Sequence, residues 1–150
     1  MKLNKPLTFF IAFVHWFLVT NPKGAYWKIK LLVDIPKTEN KVLALARSAD
    51  KLQRLLEIAK GLNPDCQLYP VQFDLVNDDI QNGLVPFIQQ NFGKIDVLIN
   101  NAGISMRALF ADLDLDVIRK LMDTNFWGTV YCTKHALPWL LKSRGSVVGI

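Results

Sequence analysis

Residues 94–103, Lys-Ile-Asp-Val-Leu-Ile-Asn-Asn-Ala-Gly, constrain the fold more than any other stretch of the chain. Residues 95–99 read as a short strand in which only Asp96 is polar. A run without polar alternation suits a parallel strand covered on both faces. It stops on Asn100-Asn101-Ala102-Gly103, where two side-chain amides can satisfy backbone groups released at the strand end. Ala102 and Gly103 leave room for close approach to the main chain. In open α/β sheets, ligands bind just outside the carboxyl ends of strands. A plain strand-ending turn is the alternative reading, because Asn and Gly favour turns for their own sake.

From Lys41 the same alternation repeats. Val42-Leu43-Ala44-Leu45-Ala46 reads as a buried strand. Ser48 or Asp50 can cap a helix carrying Leu52, Leu55, Leu56, Ile58 and Ala59. Gly61, followed by Pro64, marks its end. Residues 67–73 form a third strand, and Asp78-Asp79-Ile80 opens a helix that runs toward Phe92 and stops at Gly93. After the strand at 95–99, a loop leads into a long helix over 114–142. Its apolar stripe is Ile118, Leu121, Met122, Phe126, Val130, Ala136 and Leu140. Gly145 closes that region and residues 146–150 begin a fifth strand. Strands and helices alternating at this spacing predict an α/β fold, a parallel sheet with crossover helices.

Four stretches in order carry a family resemblance. Asn100-Asn101-Ala102-Gly103 after Asp96-Val97-Leu98-Ile99 resembles the strand-four motif of the short-chain dehydrogenase/reductase family. Asp123-Thr124-Asn125-Phe126-Trp127-Gly128-Thr129 resembles the helix that carries the family's active-site Asn. Ala46-Arg47-Ser48 and Phe73-Asp74-Leu75 fall where the family has its second and third strand ends. The resemblance covers residues 41–150 and implies a partial Rossmann-like, doubly wound parallel sheet that ends in strand five. It also implies hydride transfer between a nicotinamide cofactor and the carbonyl or hydroxyl carbon of a small molecule. The family's Ser and Tyr-x-x-x-Lys follow its fifth strand and would lie past residue 150. Tyr131 and Lys134 stand three apart and before that strand, so they do not match. At 150 residues the chain is also short of the ~250 of some single α/β domains. The expectation is a fragment of an oxidoreductase, inactive by itself. The alternative is a non-catalytic, degenerate relative or a fragment that binds partners through the long helix.

The resemblance assigns roles residue by residue. In dinucleotide folds a carboxylate near the end of strand two holds the ribose 2′-hydroxyl of NAD, whereas an Arg accommodates the 2′-phosphate of NADP. Ala46 offers no carboxylate, and the planar fork of Arg47 suits a phosphate. Arg47 and Ser48 therefore predict NADP over NAD, against the plain reading of a surface Arg beside a helix start. Asp74 resembles the family's strand-three Asp, which receives the adenine amino group, and Leu75 would flank the adenine. A turn-forming Asp is the alternative. Asn101, Ala102 and Gly103 resemble the cofactor-flanking turn, with Asn100 supporting the sheet. Asn125 resembles the Asn of the family's Asn-Ser-Tyr-Lys tetrad, which helps hold a proton-relaying water. An Asn in mid-helix otherwise needs a reason, since its amide competes with helix backbone bonds.

Residues 1–40 depart from the pattern. A dinucleotide-binding unit opens with a strand, a glycine-rich turn and a helix whose N-terminus receives the pyrophosphate. Before residue 60 the only glycine is Gly24. Leu18-Val19-Thr20 reads as the end of a first strand, which puts Trp27 where the family has its last motif glycine. Residues 1–36 are therefore expected to lie outside the ancestral reading of the domain, and cofactor binding to be weak. The apolar run over 7–19 follows Lys2 and Lys5 like the core of a signal peptide, yet no small-residue cleavage site follows it. It is also too short for a membrane span of ~20 residues. Cytoplasmic location is the main expectation, with membrane contact or export the minor one.

The net charge of +5 is scattered rather than clustered, which argues against nucleic-acid binding. Cys66 and Cys132 are too few and too far apart for a metal framework, so no metal site is expected. Two thiols fit a reducing compartment. Ser105 and Ser143 have no His or Lys at a telling spacing, which excludes serine-hydrolase chemistry. The long helix over 114–142 is the expected surface for homo-oligomers.

Overall fold

The computed structural model describes residues 8–12, 40–76, 79 and 83–150, with residues 8–12 described by their backbone pairing. Five strands form one sheet: β1 (Thr8–Ala12), β2 (Lys41–Ala46), β3 (Gln67–Gln72), β4 (Val97–Asn100) and β5 (Ser146–Gly149). Their order is β3-β2-β1-β4-β5, and every neighbouring pair is parallel. The chain winds outward from β1 through β2 to β3, then crosses back to place β4 on the other side of β1. That reversal makes the sheet doubly wound, with a crevice where β1 and β4 diverge. Ala12 is level with both Leu45 and Asn100, so the central strands end together at that crevice.

The first strand lies at Thr8–Ala12 rather than ending at residues 18–20. The run over 7–19 is apolar nearly throughout, so nothing in its local pattern selects one window. Pairing with β2 and β4 on both sides makes that selection, a long-range effect that periodicity does not carry. The turn proposed at residues 20–27 lies outside the described residues. Among the described residues no helix is long and apolar enough to cross a membrane.

The near-continuous apolar character of β2 follows from burial on two faces. Leu43 and Leu45 join Phe73, Leu84, Ile88, Ile95, Leu98, Cys132, Ala136 and Leu140 in one cluster. Val42, Ala44 and Ala46 join Leu52, Leu55, Ala59, Cys66, Leu68 and Ile99 in the other. Each cluster holds alternate residues of β2, as the period of two requires. Helix α1 (Ala49–Leu62) covers the second face with Leu52, Leu55 and Ala59. It runs through Gly61 and is capped at Asn63, whose N–H donates to the Ala59 carbonyl. Helix α2 spans Val85–Asn91 and buries Ile88. Gly93 follows at φ 70°, a left-handed position that suits glycine and stops the helix.

The long helix expected over 114–142 is three pieces on one path: α3 (Leu115–Met122), a π-helical turn (Asp123–Trp127) and α4 (Gly128–Ser143). Asp114 caps α3, its side chain accepting from the Asp116 N–H at 2.9 Å. A π turn adds a residue to the helical path and so rotates the buried face. From Thr124 within the turn the buried positions continue through Gly128, Cys132, Ala136 and Leu140, every fourth residue. Met122 (48%) and Phe126 (49%) stand exposed, contrary to the stripe expected from an unbroken helix. Arg144 ends α4 in the left-handed region at φ 56°. Gly145 then passes beneath β4, where an added Cβ would collide with the Asp96 carbonyl oxygen.

Candidate functional site

Parallel strands bring all their carboxyl ends to one edge of the sheet. Arg47 leaves β2 there, Asp74 follows β3, and Asn101, Ala102 and Gly103 follow β4. Strands stand roughly 4.8 Å apart, so the chain at Arg47 and the chain at Asn101 are about 10 Å from each other across β1. Asp74 is one strand further out. Residues distant in sequence thus line one elongated edge.

The end of β2 passes from buried Ala46 to half-buried Arg47 and Ser48. Ser48 stands at the cap position of α1 in extended conformation, and its carbonyl accepts the Leu52 N–H at 3.2 Å. Its hydroxyl makes no capping bond, contrary to the role expected of it. The Arg47 carbonyl accepts from Gln72 Nε2 at 3.0 Å. Asp74 Oδ1 accepts the Val76 N–H at 3.0 Å, closing a local turn after β3. Leu75 is buried (8%) in the core, and a Cβ on Gly128 would meet it at 3.8 Å, so its side chain packs toward α4.

At β4 the Asn100 amide bonds a side chain of α4 rather than a backbone group of the strand end. Asn100 is buried, and its Nδ2 donates to Thr133 Oγ1 at 3.0 Å, tying β4 to α4. A buried amide left without a partner would be costly, so Thr133 is needed in the apolar face of α4. Ala102 packs against the core. Gly103 is exposed, and a Cβ there would lie 3.6 Å from Asn125 Oδ1, an ordinary contact. The fold itself therefore does not demand glycine at this position. What the missing side chain keeps open is approach from solvent, as a cofactor-flanking turn requires.

Asn125 sits inside the π-helical turn. Its Oδ1 accepts the Ile104 N–H at 2.8 Å and its Nδ2 donates to the Ile104 carbonyl at 2.9 Å. Its own carbonyl accepts from Thr129 Oγ1 at 3.4 Å. The side chain thus clamps the loop that follows the Asn-Asn-Ala-Gly turn, and it reaches that loop because the π turn re-aims it. π turns recur at functional sites. Near it Cys132 is buried among apolar side chains, and this burial pushes its thiol up to about 12. It is a packing residue, not a nucleophile. Among the described residues no group of three His, Cys, Asp or Glu is placed to hold a metal. Gln72 and Thr133 were not singled out by sequence reasoning. Their only signal is a polar residue at a strand end and at a semi-buried helical position.

The family model for short chain dehydrogenases matches residues 32–150. This chain belongs to that family. Among curated relatives, dehydrogenase/reductase SDR family member 7B of Bos taurus is 39% identical over 115 residues, 73% of this chain and 35% of its own. The 11-beta-hydroxysteroid dehydrogenase 1A of Arabidopsis thaliana is 35% identical over 106 residues, 70% of this chain and 30% of its own. The chain spans less than half the length of these relatives. A short chain dehydrogenase/reductase of Saccharomyces cerevisiae superposes with a TM-score of 0.74 at 27% identity, covering 96% of this chain and 53% of its own. A short-chain type dehydrogenase/reductase of Mycobacterium marinum superposes with a TM-score of 0.76 at 20% identity, covering 95% and 54%. The family uses NAD(P) nucleotides. The Rossmann-like sheet expected from the four motifs is the observed fold.

Proposed function

We propose that the chain is the nucleotide-binding part of an NADP-dependent short-chain oxidoreductase. The observation that carries this reading is the end of β2, where Arg47 stands beside a Ser48 hydroxyl that makes no capping bond. A 2′-phosphate is met by a guanidinium and a hydroxyl there, and the preceding Ala46 supplies no carboxylate to select the bare ribose. Asp74 receives the adenine amino group further along the edge, and Asn101, Ala102 and Gly103 flank the nicotinamide half. When bound, the nicotinamide supplies or accepts the hydride. Asn125 holds the loop after β4 in place beside it. Names of the relatives include hydroxysteroid dehydrogenases, so the reaction class is interconversion of a small-molecule carbonyl and alcohol.

The test is titration of the 150-residue chain and its Arg47→Ala variant with NADPH and NADH. The wild type should favour NADPH and the variant should lose that preference. Equal affinities in the wild type would remove the role given to Arg47.

The 150 residues should lack turnover by themselves, since the family's Ser and Tyr-x-x-x-Lys have no counterpart among the matched motifs. Exposed aromatics support association of two copies through the long helix. Trp127 stacks on Tyr131 at 5.7 Å and meets Phe126 edge-on at 5.2 Å, all three more than two-fifths exposed. Aromatic residues are enriched at protein interfaces. Two buried free thiols, Cys66 and Cys132, favour the cytoplasm.

A further inference from the structure

We propose that Gln72 is a specificity-positioning residue, which anchors the Arg47 carbonyl and so fixes the backbone from which the phosphate-reading guanidinium extends. This rests on the NADP reading above and adds a residue to it. β2 and β3 part company at this point. Their last pair is Ala46↔Gln72, and the last backbone bond between them runs from the Phe73 N–H to the Ala46 carbonyl at 2.9 Å. One residue later Asp74 closes its own turn onto Val76. Successive carbonyls of a strand alternate in direction, so the Arg47 carbonyl falls outside the β2–β3 ladder. The Gln72 side chain reaches it there, its Nε2 donating at 3.0 Å across 25 residues of sequence.

The bond is exposed and neutral, a class that adds little net stability once water and the lost freedom of a Gln side chain are counted. Its consequence is local. Arg47 lies in a bend between the last paired residue of β2 and the extended cap Ser48 (φ −98°, ψ 109°), where no ladder bond restrains it. Recognition of phosphate by a guanidinium fork is directional. A backbone held before binding need not be ordered during binding, and that gain appears as affinity for the ligand group being read. Gln72 should thus act on discrimination at the 2′ position and not on affinity for adenosine in general.

The experiment uses adenosine 2′,5′-bisphosphate and adenosine 5′-monophosphate, titrated calorimetrically or by NMR into the 150-residue chain. The variants are Gln72→Met, which keeps length without a donor, and Gln72→Thr, which keeps strand propensity but is too short to reach. Arg47→Ala is the control, and thermal midpoints confirm folding. The expected result is a wild type that favours the bisphosphate. Both Gln72 variants should lose about fivefold in bisphosphate affinity, the scale of a weakened charge-assisted contact, with the monophosphate unchanged. Retained preference in both Gln72 variants, with preference lost in Arg47→Ala, would overturn the inference alone. Equal weakening of both nucleotides would reduce Gln72 to a structural role and also overturn it. A wild type without preference would overturn the NADP reading and this inference together.

Discussion

Asn125 and Ile104 are joined by two hydrogen bonds, amide oxygen to N–H at 2.8 Å and amide nitrogen to carbonyl at 2.9 Å. The pair imitates one rung of a β-ladder, with a side chain standing in for a strand. Through it the π-helical turn holds the loop that leaves β4 beside the crevice. Asn125→Leu removes both bonds at once. Because the site is exposed, water replaces part of what is lost, and the cost should be about 1–2 kcal/mol. The sharper outcome is local: the Ile104 amide should exchange with solvent much faster, while the amides of β2 keep their protection. Hydrogen exchange read residue by residue checks this.

The two glycines Gly145 and Gly61 should respond to alanine in opposite directions. A Cβ at Gly145 would meet the Asp96 carbonyl and, at 2.9 Å, both Leu140 Cδ2 and Ser143 Oγ. Ser143 Oγ already donates to the Ile95 carbonyl, and the Ser146 N–H donates to the Asp96 carbonyl, so the neighbours cannot retreat without loosening β5 from β4. Gly145→Ala should cost about 2–3 kcal/mol as an overpacked site. At Gly61, inside α1, a Cβ meets nothing within 4 Å. Gly61→Ala should stabilise by about 0.5–1 kcal/mol through helix propensity and a less flexible unfolded chain. Chemical denaturation of the two variants gives the comparison.

How these elements were legible differs from one to the next. β2 and β4 could be read because burial on both faces writes an unbroken apolar run, and Gly93 because a helix stop needs positive φ. β1 could not be located, since the run over 7–19 offers several equivalent windows and only pairing chooses among them. The exposed positions of Met122 and Phe126 were missed because a π turn leaves the sequence period intact and shifts only the phase. Motif order points to Arg47, Asp74 and Asn101, and parallel topology brings the three to one edge. Leu75 follows Asp74 in the same motif, and the absence of a side chain at Gly128 leaves room in the core for its apolar side chain.

Cys132 gives a pH signature. Burial raises its pKa from 9.0 to about 12 in the folded chain, whereas the unfolded thiol titrates near the ordinary value. The folded state therefore holds its proton over a range where the unfolded state has released it. The stabilising contribution is complete below about 9 and is lost progressively as pH rises toward 12. Cys132→Ala should lower stability at neutral pH by about 1–2 kcal/mol through a small cavity, yet flatten the decline above pH 9. Urea titrations at pH 7.5 and pH 10 measure both effects. A folded thiol that reacts with iodoacetamide at pH 8 as fast as the denatured one would contradict the burial.

The position of β1 changes where a phosphate-binding turn belongs. In a doubly wound sheet the turn follows the central strand directly, and the helix behind it points its N-terminus at the pyrophosphate. Here the central strand ends at Ala12, level with Leu45 and Asn100 at the crevice. The eleven residues that follow, 13–23, contain no glycine, and bulky His15, Trp16 and Phe17 stand among them. Glycine is the residue that lets the main chain approach a pyrophosphate closely, and this stretch of sequence supplies none. NADPH affinity should accordingly be weak even with Arg47, Ser48 and Asp74 in place. Two grafts of Thr-Gly-x-x-x-Gly-x-Gly distinguish the placements. Inserted directly after Ala12, in place of residues 13–20, the turn should raise NADPH affinity at least tenfold, as several backbone-to-phosphate bonds would. Written over residues 20–27, where the sequence pattern first put it, the turn would stand eight residues beyond the end of β1 and should leave affinity unchanged. Calorimetry on both grafts, with Arg47→Ala in each background, gives the result. A gain from the second graft and none from the first would move the crevice-side end of the central strand away from Ala12.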